Sequence, residues 1–564
     1  MNTTIKNKIL AGAMLFSALW MGSSCEDSIE GLKVTPETPY ADKTLYEVLK
    51  NDKDLTDFME VVNSCGPECA DSLFNHSRVY TVWAPMNDSF DKEALLEAVK
   101  NGRRDFVFNT FVKSHVANFL KPANGNLDEN NKVLLLNEKM ASFQGNYKKG
   151  YYFTECKVEF PNVRVKNGLI HKLAGASEYR YNIWEWIGQV AEVKAVKEYL
   201  FESNDTIFNE GRSIKGPVVD GVQTYLDSAF DYPNRWLSVW NKGIGKLDAE
   251  DSVYTVYFPT NELWDEKVAE AEEYFKYDRT EKNVAGFDTE YVDSLTKFYS
   301  RYNILKYLTY SNLEQRYAKT TDDSIMPAGR DGNRRKFPKA KFNDDVIVPG
   351  SYKELSNGYF YAINKLPFTP IELWYDTVFV EAENVSVQVS NDATRNMSMP
   401  VTEKTINKNP EFENSSISGN YYHFFKAANS KIEVTFAIPN LLSAKYRLAL
   451  ILVPKNITDN TIPDDEILPV RLSSVYVEQN ATPLGDAKNV DYDGKGVDTL
   501  YISNPKSSDG LYEFPTCEYY NKFSKEDCTT RIRITTYRRK SSGKEMYDPS
   551  LRLDKIMLIP VLEE

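Results

Sequence analysis

Hydrophobic and polar positions alternate through Val79-Tyr80-Thr81-Val82-Trp83-Ala84, stop at Pro85, and are followed by Asn87. The pattern returns at Val253-Tyr254-Thr255-Val256-Tyr257-Phe258, with Pro259 and Asn261 in the same places. A period-two run closed by Pro predicts a strand, and an Asn just beyond it predicts the N-cap of the next helix. A second pair of matching segments lies further on. Asn167-Gly168 precedes Leu169-Ile170-His171, and Asn357-Gly358 precedes the run Tyr359 to Ile363, each the signal of a hairpin. A third pair opens each copy: Thr44-Leu45-Tyr46-Glu47 and Asn182-Ile183-Trp184-Glu185 read as capped helix starts. Self-similarity in the same order predicts two copies of one unit.

From residue 374 onward the pattern changes. Short alternating runs (378–383, 431–438, 446–453, 531–537 and 553–561) are separated by Gly, Asn, Ser and Pro, which predicts an all-β sandwich. At the other end Lys6 and Lys8 precede the apolar run Ile9 to Met21 and the small residues Gly22, Ser23 and Ser24. That run is too short to stay as a spanning helix, so 1–24 reads as a removed signal peptide.

Composition narrows the function. The 564 residues carry a net charge of -13 with no basic block, which argues against nucleic acid and anionic lipid surfaces as partners. Four His, none in a ligand-spaced pair, argue against a zinc site, and no cofactor motif is present. No nucleophile elbow, His-Glu-x-x-His or phosphate loop appears, and Asp344-Asp345 and Asp464-Asp465 read as solvated loops, so the chain is expected not to be an enzyme. His115 and His171 read as core residues. Cys517 and Cys528 bracket a hairpin-sized loop and Cys65 and Cys69 bracket a turn; both pairs are candidate disulfides, Cys156 is the odd thiol, and the connectivity stays open. Every Trp lies at or before residue 374, so any aromatic platform in the sandwich must use Tyr. Tyr422 and Tyr520 are the candidates for sugar stacking, and each has a Tyr neighbour that must face the other way.

Cys25 directly after the small residues resembles the lipobox of bacterial lipoproteins, with Gly22 where Leu is usual. Glu26-Asp27 behind it is similar to the export signal of Bacteroides-type surface lipoproteins. The resemblance implies a diacylglyceryl-modified Cys25 and a tether over 25–38. The Tyr-Thr-Val-aromatic-Ala-Pro-x-Asn pattern and the later Asn-Gly-x-Ile-His resemble the fasciclin (FAS1) domain. The first copy matches it well. The second departs at Phe258, Trp264 and Tyr361-Ala362 and carries insertions. In that family a Tyr-His pair is linked to adhesion; here Ser114 stands before His115. The opening Phe379-Val380-Glu381-Ala382-Glu383 and the closing Leu553 to Leu558 resemble galactose-binding-like jelly rolls. An Asp-Ser/Thr-aliphatic triplet that recurs from Asp27 to Asp498 resembles a Bacteroides-group O-glycosylation acceptor. The expected α+β architecture is FAS1 domain 1 over 39–180, a degenerate FAS1-like domain over 181–373, and a β-sandwich over 374–564. These resemblances imply an outer-membrane lipoprotein facing the cell exterior. It would serve as a non-enzymatic binding or scaffolding accessory of glycan uptake, beside a TonB-dependent transporter and its lid lipoprotein. The competing reading is an adhesin for a host or neighbouring-cell protein.

Acyl chains hold a terminus to a membrane by burying many methylenes. Cys25→Ala therefore moves the protein from the membrane fraction to the soluble fraction, and protease added to intact cells removes the wild type. Unchanged membrane retention of the variant contradicts the lipid anchor.

Overall fold

The structure is a computed structural model. It describes residues 40–562 except 41, 76, 129–130, 212, 220–221, 228–229, 279–288, 313–322, 331–334, 401–420, 428–430, 459–460, 519–524, 538–539 and 542–543. The leader, Cys25, Glu26, Asp27 and the tether lie outside the described residues. The fold is mixed, with several sheets and fewer helices, and divides into two compact units. Of the described residues, one holds those up to Trp186 together with Asp248–Asp251 and Leu355–Gly358; the other holds the remaining described residues. Among the described residues no helix is long and apolar enough to cross a membrane.

The first unit opens with helices α1 (Leu45–Asn51), α2 (Thr56–Ser64) and α3 (Pro67–Phe74). Strand β1 (Tyr80–Pro85) follows, then α4 (Lys92–Lys100) and α5 (Arg104–Val107). Seven strands complete it: β2 (Val116–Asn118), β3 (Asn126–Leu127), β4 (Lys132–Leu134), β5 (Met140–Asn146), β6 (Gly150–Phe153), β7 (Cys156–Val165) and β8 (Gly168–Leu173). They form one sheet in the order β2-β1-β8-β7-β6-β5-β3, with β4 on β5. Strand β1 is buried along its whole length because it runs parallel to β8, with Trp83 opposite His171. Gly168 is required at the head of β8, where a Cβ would lie 2.3 Å from Tyr80 O.

The expected openers are helix caps. Thr44 and Glu47 form a capping box, and Asn182 and Glu185 exchange the same pair of bonds. The motif asparagines act differently from the expectation. Asn87 does not cap the helix that follows it; Asp91 does, accepting from Ala94 N. Asn87 instead reaches back to α2, whose own cap position is Leu55. Its Oδ1 accepts from Asp57 N at 3.0 Å and its Nδ2 donates to Lys53 O at 2.8 Å.

The second unit repeats this device with its own residues. Strand β9 (Tyr254–Pro259) leads into α7 (Asn261–Tyr274), which Thr260 caps. Asn261 reaches back to α6 (Lys194–Phe201), whose cap position is Val193. Oδ1 accepts from Ala195 N at 2.8 Å and Nδ2 donates to Ala191 O at 2.9 Å.

The Asn-Gly asparagines form the other matched pair, both within the first unit. Asn167 accepts from Leu45 N at 2.7 Å and donates to Phe74 O at 2.9 Å; Asn357 accepts from Ile183 N at 2.8 Å and donates to Ala249 O at 3.1 Å. Each pins the first amide of an opening helix to the chain that enters the central strand. The second unit continues with α8 (Thr289–Leu305) and β10 (Thr309–Ser311), and the chain adds β11 (Lys353–Leu355) and β12 (Gly358–Ile363) in a sheet ordered β10-β9-β12-β11.

His115 and His171 are core residues, as expected. His115 is fully buried: its Nδ1 donates to Phe111 O at 2.7 Å and its Nε2 accepts from Ser177 N at 3.0 Å. His171 donates from Nε2 to Lys121 O and accepts at Nδ1 from Asn162 N, while its ring stacks on Trp83, which stacks in turn on Phe153. Tyr257 and Tyr361 keep a stacked pair in the second unit, 5.1 Å apart. Burial pushes both imidazoles down to about 4.

The C-terminal part of the second unit carries two antiparallel sheets. Its strands are β13 (Val378–Glu381), β14 (Gln388–Asn391), β15 (Arg395–Pro400), β16 (Tyr421–Lys426), β17 (Glu433–Ala437), β18 (Lys445–Leu452) and β19 (Val470–Gln479). They continue with β20 (Thr482–Ala487), β21 (Val490–Tyr492), β22 (Asp498–Ile502), β23 (Tyr512–Glu513), β24 (Arg531–Thr536) and β25 (Leu551–Pro560). The seven-stranded sheet runs β15-β16-β25-β18-β22, with β13 on β25 and β23 on β18; the six-stranded sheet runs β14-β17-β24-β19-β20, with β21 on β19. Phe425 of the first meets Phe436 of the second edge to face, 6.0 Å apart.

Two measurements follow. Asn167→Ala orphans a buried amide and a buried carbonyl and costs about 2 to 4 kcal/mol in chemical denaturation, against about 1 to 2 for Asn87→Ala; a loss under about 0.5 kcal/mol for Asn167→Ala contradicts the assignment. The folded imidazoles titrate below the unfolded value, so their neutral forms stabilise fully above pH 6.5. That stability, on the order of 3 kcal/mol for each ring, is lost as pH falls from 6.5 through about 4. In NMR titrations the His115 and His171 ring protons stay unshifted from pH 7 to 5 while the denaturation midpoint falls; rings titrating near 6.5 with flat stability contradict it.

Candidate functional site

The outer face of the seven-stranded sheet builds the site. On β13, Val380 points into the core while Phe379 points out and is 55% exposed. On β22, Ile502 is buried and its neighbour Tyr501 is 57% exposed. The register links the two: Phe379 lies opposite Met557, Met557 opposite Ala449, and Ala449 opposite Tyr501. Four residues thus form one row across β13, β25, β18 and β22. With strands about 4.8 Å apart, the two rings sit about 14 Å from each other. Between the two exposed rings Met557 is half-buried and Ala449 is buried. Cations flank both ends. Lys555 Nζ is 5.7 Å from the Phe379 ring and the Arg447 guanidinium 6.0 Å from the Tyr501 ring. The surface can stack a planar apolar face at both ends, and the exposed Arg447 can hydrogen-bond beside Tyr501.

Tyr422 is not part of it. Its position on β16 is on the outer face, but Val453, Ile457, Met399 and Val497 cover it and leave it 3% exposed. The segment that includes Lys455–Thr458 closes over this half of the sheet. Its neighbour Tyr421 is 45% exposed, so the two do face opposite ways. Tyr520 lies outside the described residues. The signal that marks Phe379 and Tyr501 instead is alternation: each sits between inward aliphatics on a short strand.

The cysteine expectation is corrected. Cys517 and Cys528 are separate thiols. Cys517 Sγ donates to Tyr274 O and Cys528 Sγ to Ile438 O and Thr530 O, and burial pushes both thiols well above their usual range. Glu518 closes the loop in their place, accepting from Thr529 N, Thr529 Oγ1 and Thr530 N. Cys65 and Cys69 are not bridged either: Cys65 ends α2, Cys69 lies in α3, and Cys69 Sγ donates to Cys65 O at 3.0 Å. Burial pushes the Cys65 thiol up to about 11. Among the described residues no cluster of His, Cys, Asp and Glu is arranged to hold a metal.

No family model matches the chain, and no curated protein does. Among solved structures, the chain is similar to a FAS1 domain pair from the insect cell adhesion molecule fasciclin I, at 11% identity over 57% of this chain and 98% of that one, with a TM-score of 0.21. It is also similar to a Paenibacillus xanthan lyase (15% identity, TM-score 0.21) and to the Podospora anserina GH26-CBM35 β-(1,4)-mannanase (12% identity, TM-score 0.17). The match to the lyase covers 36% of this chain and 14% of the lyase; the match to the mannanase covers 34% and 29%.

Proposed function

We propose that the protein is a lipid-anchored, surface-exposed, non-enzymatic glycan-binding protein, built of two FAS1 repeats and a C-terminal β-sandwich. It would present captured glycan to an uptake system beside a transporter and its lid lipoprotein. The leader with Cys25 supports the anchor, and the paired asparagine contacts support the two repeats. The observation that carries the binding role is the pair of exposed rings, Phe379 and Tyr501, held at the two ends of one cross-strand row on the sheet. Sugar rings present C–H faces to aromatic planes and hydroxyls to flanking charges, and an extended oligosaccharide lying along the row meets both.

Phe379→Ala and Tyr501→Ala each weaken binding of a retained polysaccharide roughly 2- to 10-fold in calorimetry, for about 0.5 to 1.5 kcal/mol of lost stacking, and leave the melting midpoint unchanged. Tyr422→Ala does the opposite, costing about 3 to 5 kcal/mol of stability because its ring is buried. Full binding by the double variant F379A/Y501A contradicts the site. Release of reducing sugar by the pure protein contradicts the non-enzymatic role. Binding of a host protein, lost in the same double variant, with no affinity for polysaccharide, supports the adhesin instead.

A further inference from the structure

The first unit contains a concave surface, remote in kind from the cross-strand row. A cavity of about 230 Å³ opens beside β4 and β5, the turn between β6 and β7, and the segment 177–180. At about 30 Å³ for each water it has room for about seven, or for one six-membered ring with its substituents.

The lining is made of groups that both donate and accept. Ser114, Ser142, Thr154, Ser177 and Ser356 bring five hydroxyls, and Asn137 brings a carboxamide. Leu135 and Met140 add an apolar strip. The charges at the wall are engaged with one another, with one carboxylate in excess. Arg180 pairs with Glu155. Lys139, 7% exposed, holds Glu185 and Glu250 at 2.6 Å each. Those carboxylates are themselves engaged: Glu185 accepts from Tyr179 OH and Asn182 N, and Glu250 accepts from Ser356 Oγ and Asn182 Nδ2. Lys132 and Glu178, of opposite sign, are the remaining charges of the lining. The charged groups are tied to one another, Ser114 and Ser356 already donate to Thr110 O, Phe111 O and Glu250, and the hydroxyl oxygens of the lining, with the Ser142 and Ser177 hydroxyls, match a molecule whose own hydroxyls donate and accept.

One residue of the wall has a strained backbone, and another lies beside the wall. Thr154 has φ 53° and Glu138 has φ 66°. Thr154 sits in the two-residue turn between β6 and β7, where Gly is the favoured residue and a β-branched side chain is strained. Its Oγ1 donates to Ser177 Oγ across the cavity wall at 2.9 Å. The strained turn thus places a hydroxyl in the lining, and strain of this kind gathers at binding sites.

We propose that this cavity binds a single neutral sugar ring, a free hexose or the end of a chain. The inference does not rest on the sheet face: that site takes extended polymer between two exposed rings, and this one encloses one ring.

The test uses the full chain and the methyl glycosides of glucose, galactose and mannose as probes, read by saturation-transfer and amide-shift NMR. At least one probe binds at millimolar concentration and shifts the amides of 139–142, 154–155 and 177–180. Ser142→Phe, which fills the cavity, weakens that binding at least tenfold, whereas Phe379→Ala and Tyr501→Ala leave it intact. If Ser142→Phe does not fold, Met140→Tyr at the exposed rim takes its place. Absence of binding by all three probes, shifts confined to the C-terminal sheets, or binding unaltered in the filled variant overturns the proposal. Loss of polysaccharide binding in F379A/Y501A with the cavity signal retained separates the two sites.

Discussion

A side-chain carboxamide holding two stretches of backbone at once, buried in Asn167 and Asn357 and half-buried in Asn87 and Asn261, is the contact on which this architecture depends. Its oxygen accepts from the first or second amide of a helix, and its nitrogen donates to a carbonyl on another part of the chain. Aspartate lacks the donor and serine reaches too short a distance to serve both. The helices concerned need this help. Leu55 and Val193 stand at the cap positions of α2 and α6 and have no side-chain acceptor of their own, so their free amides are satisfied only when the distant strand ends arrive. Helix and strand therefore become ordered together, and the frame is kept where the surrounding sequence differs.

The two matched sets of segments show how far that goes. Trp83 against His171 becomes Tyr257 against Tyr361, with ring planes still within 20° of parallel (19° and 15°). Ala84 becomes Phe258, buried like it. The asparagines, their acceptors and their donors stay in place, with the backbone carbonyl four residues before the capped amide in both cases (Lys53 and Asp57, Ala191 and Ala195).

Much of the frame was legible in the sequence, because a strand, a Pro and an Asn recur in order and local spacing suffices to see it. The role of Asn87 was not, since its partner lies 30 residues back and only the folded chain brings them together; the local rule pointed to the next helix, where Asp91 already serves. The Cys517–Cys528 expectation failed for a related reason. Loop length permits a bridge, but Glu518 satisfies both ends of the loop, and each thiol has its own carbonyl. In the C-terminal sheets, alternation correctly placed Tyr421 and Tyr422 on opposite faces. It could not show that the outer position is covered, because the cover comes from the segment around Ile457. The exposed row was hidden in plain view: Phe379 and Tyr501 lie 122 residues apart in sequence, and the register of four strands is needed to align them.

Amide hydrogen exchange under native conditions tests the central claim most directly. If the carboxamides order helix and strand as one unit, the amides of Leu45 and Asp57 exchange as slowly as Val82 in the buried strand, and Ile183 and Ala195 as slowly as Val256, through the same cooperative opening. First-turn helix amides that exchange orders of magnitude faster than those strands, as frayed ends do, contradict it.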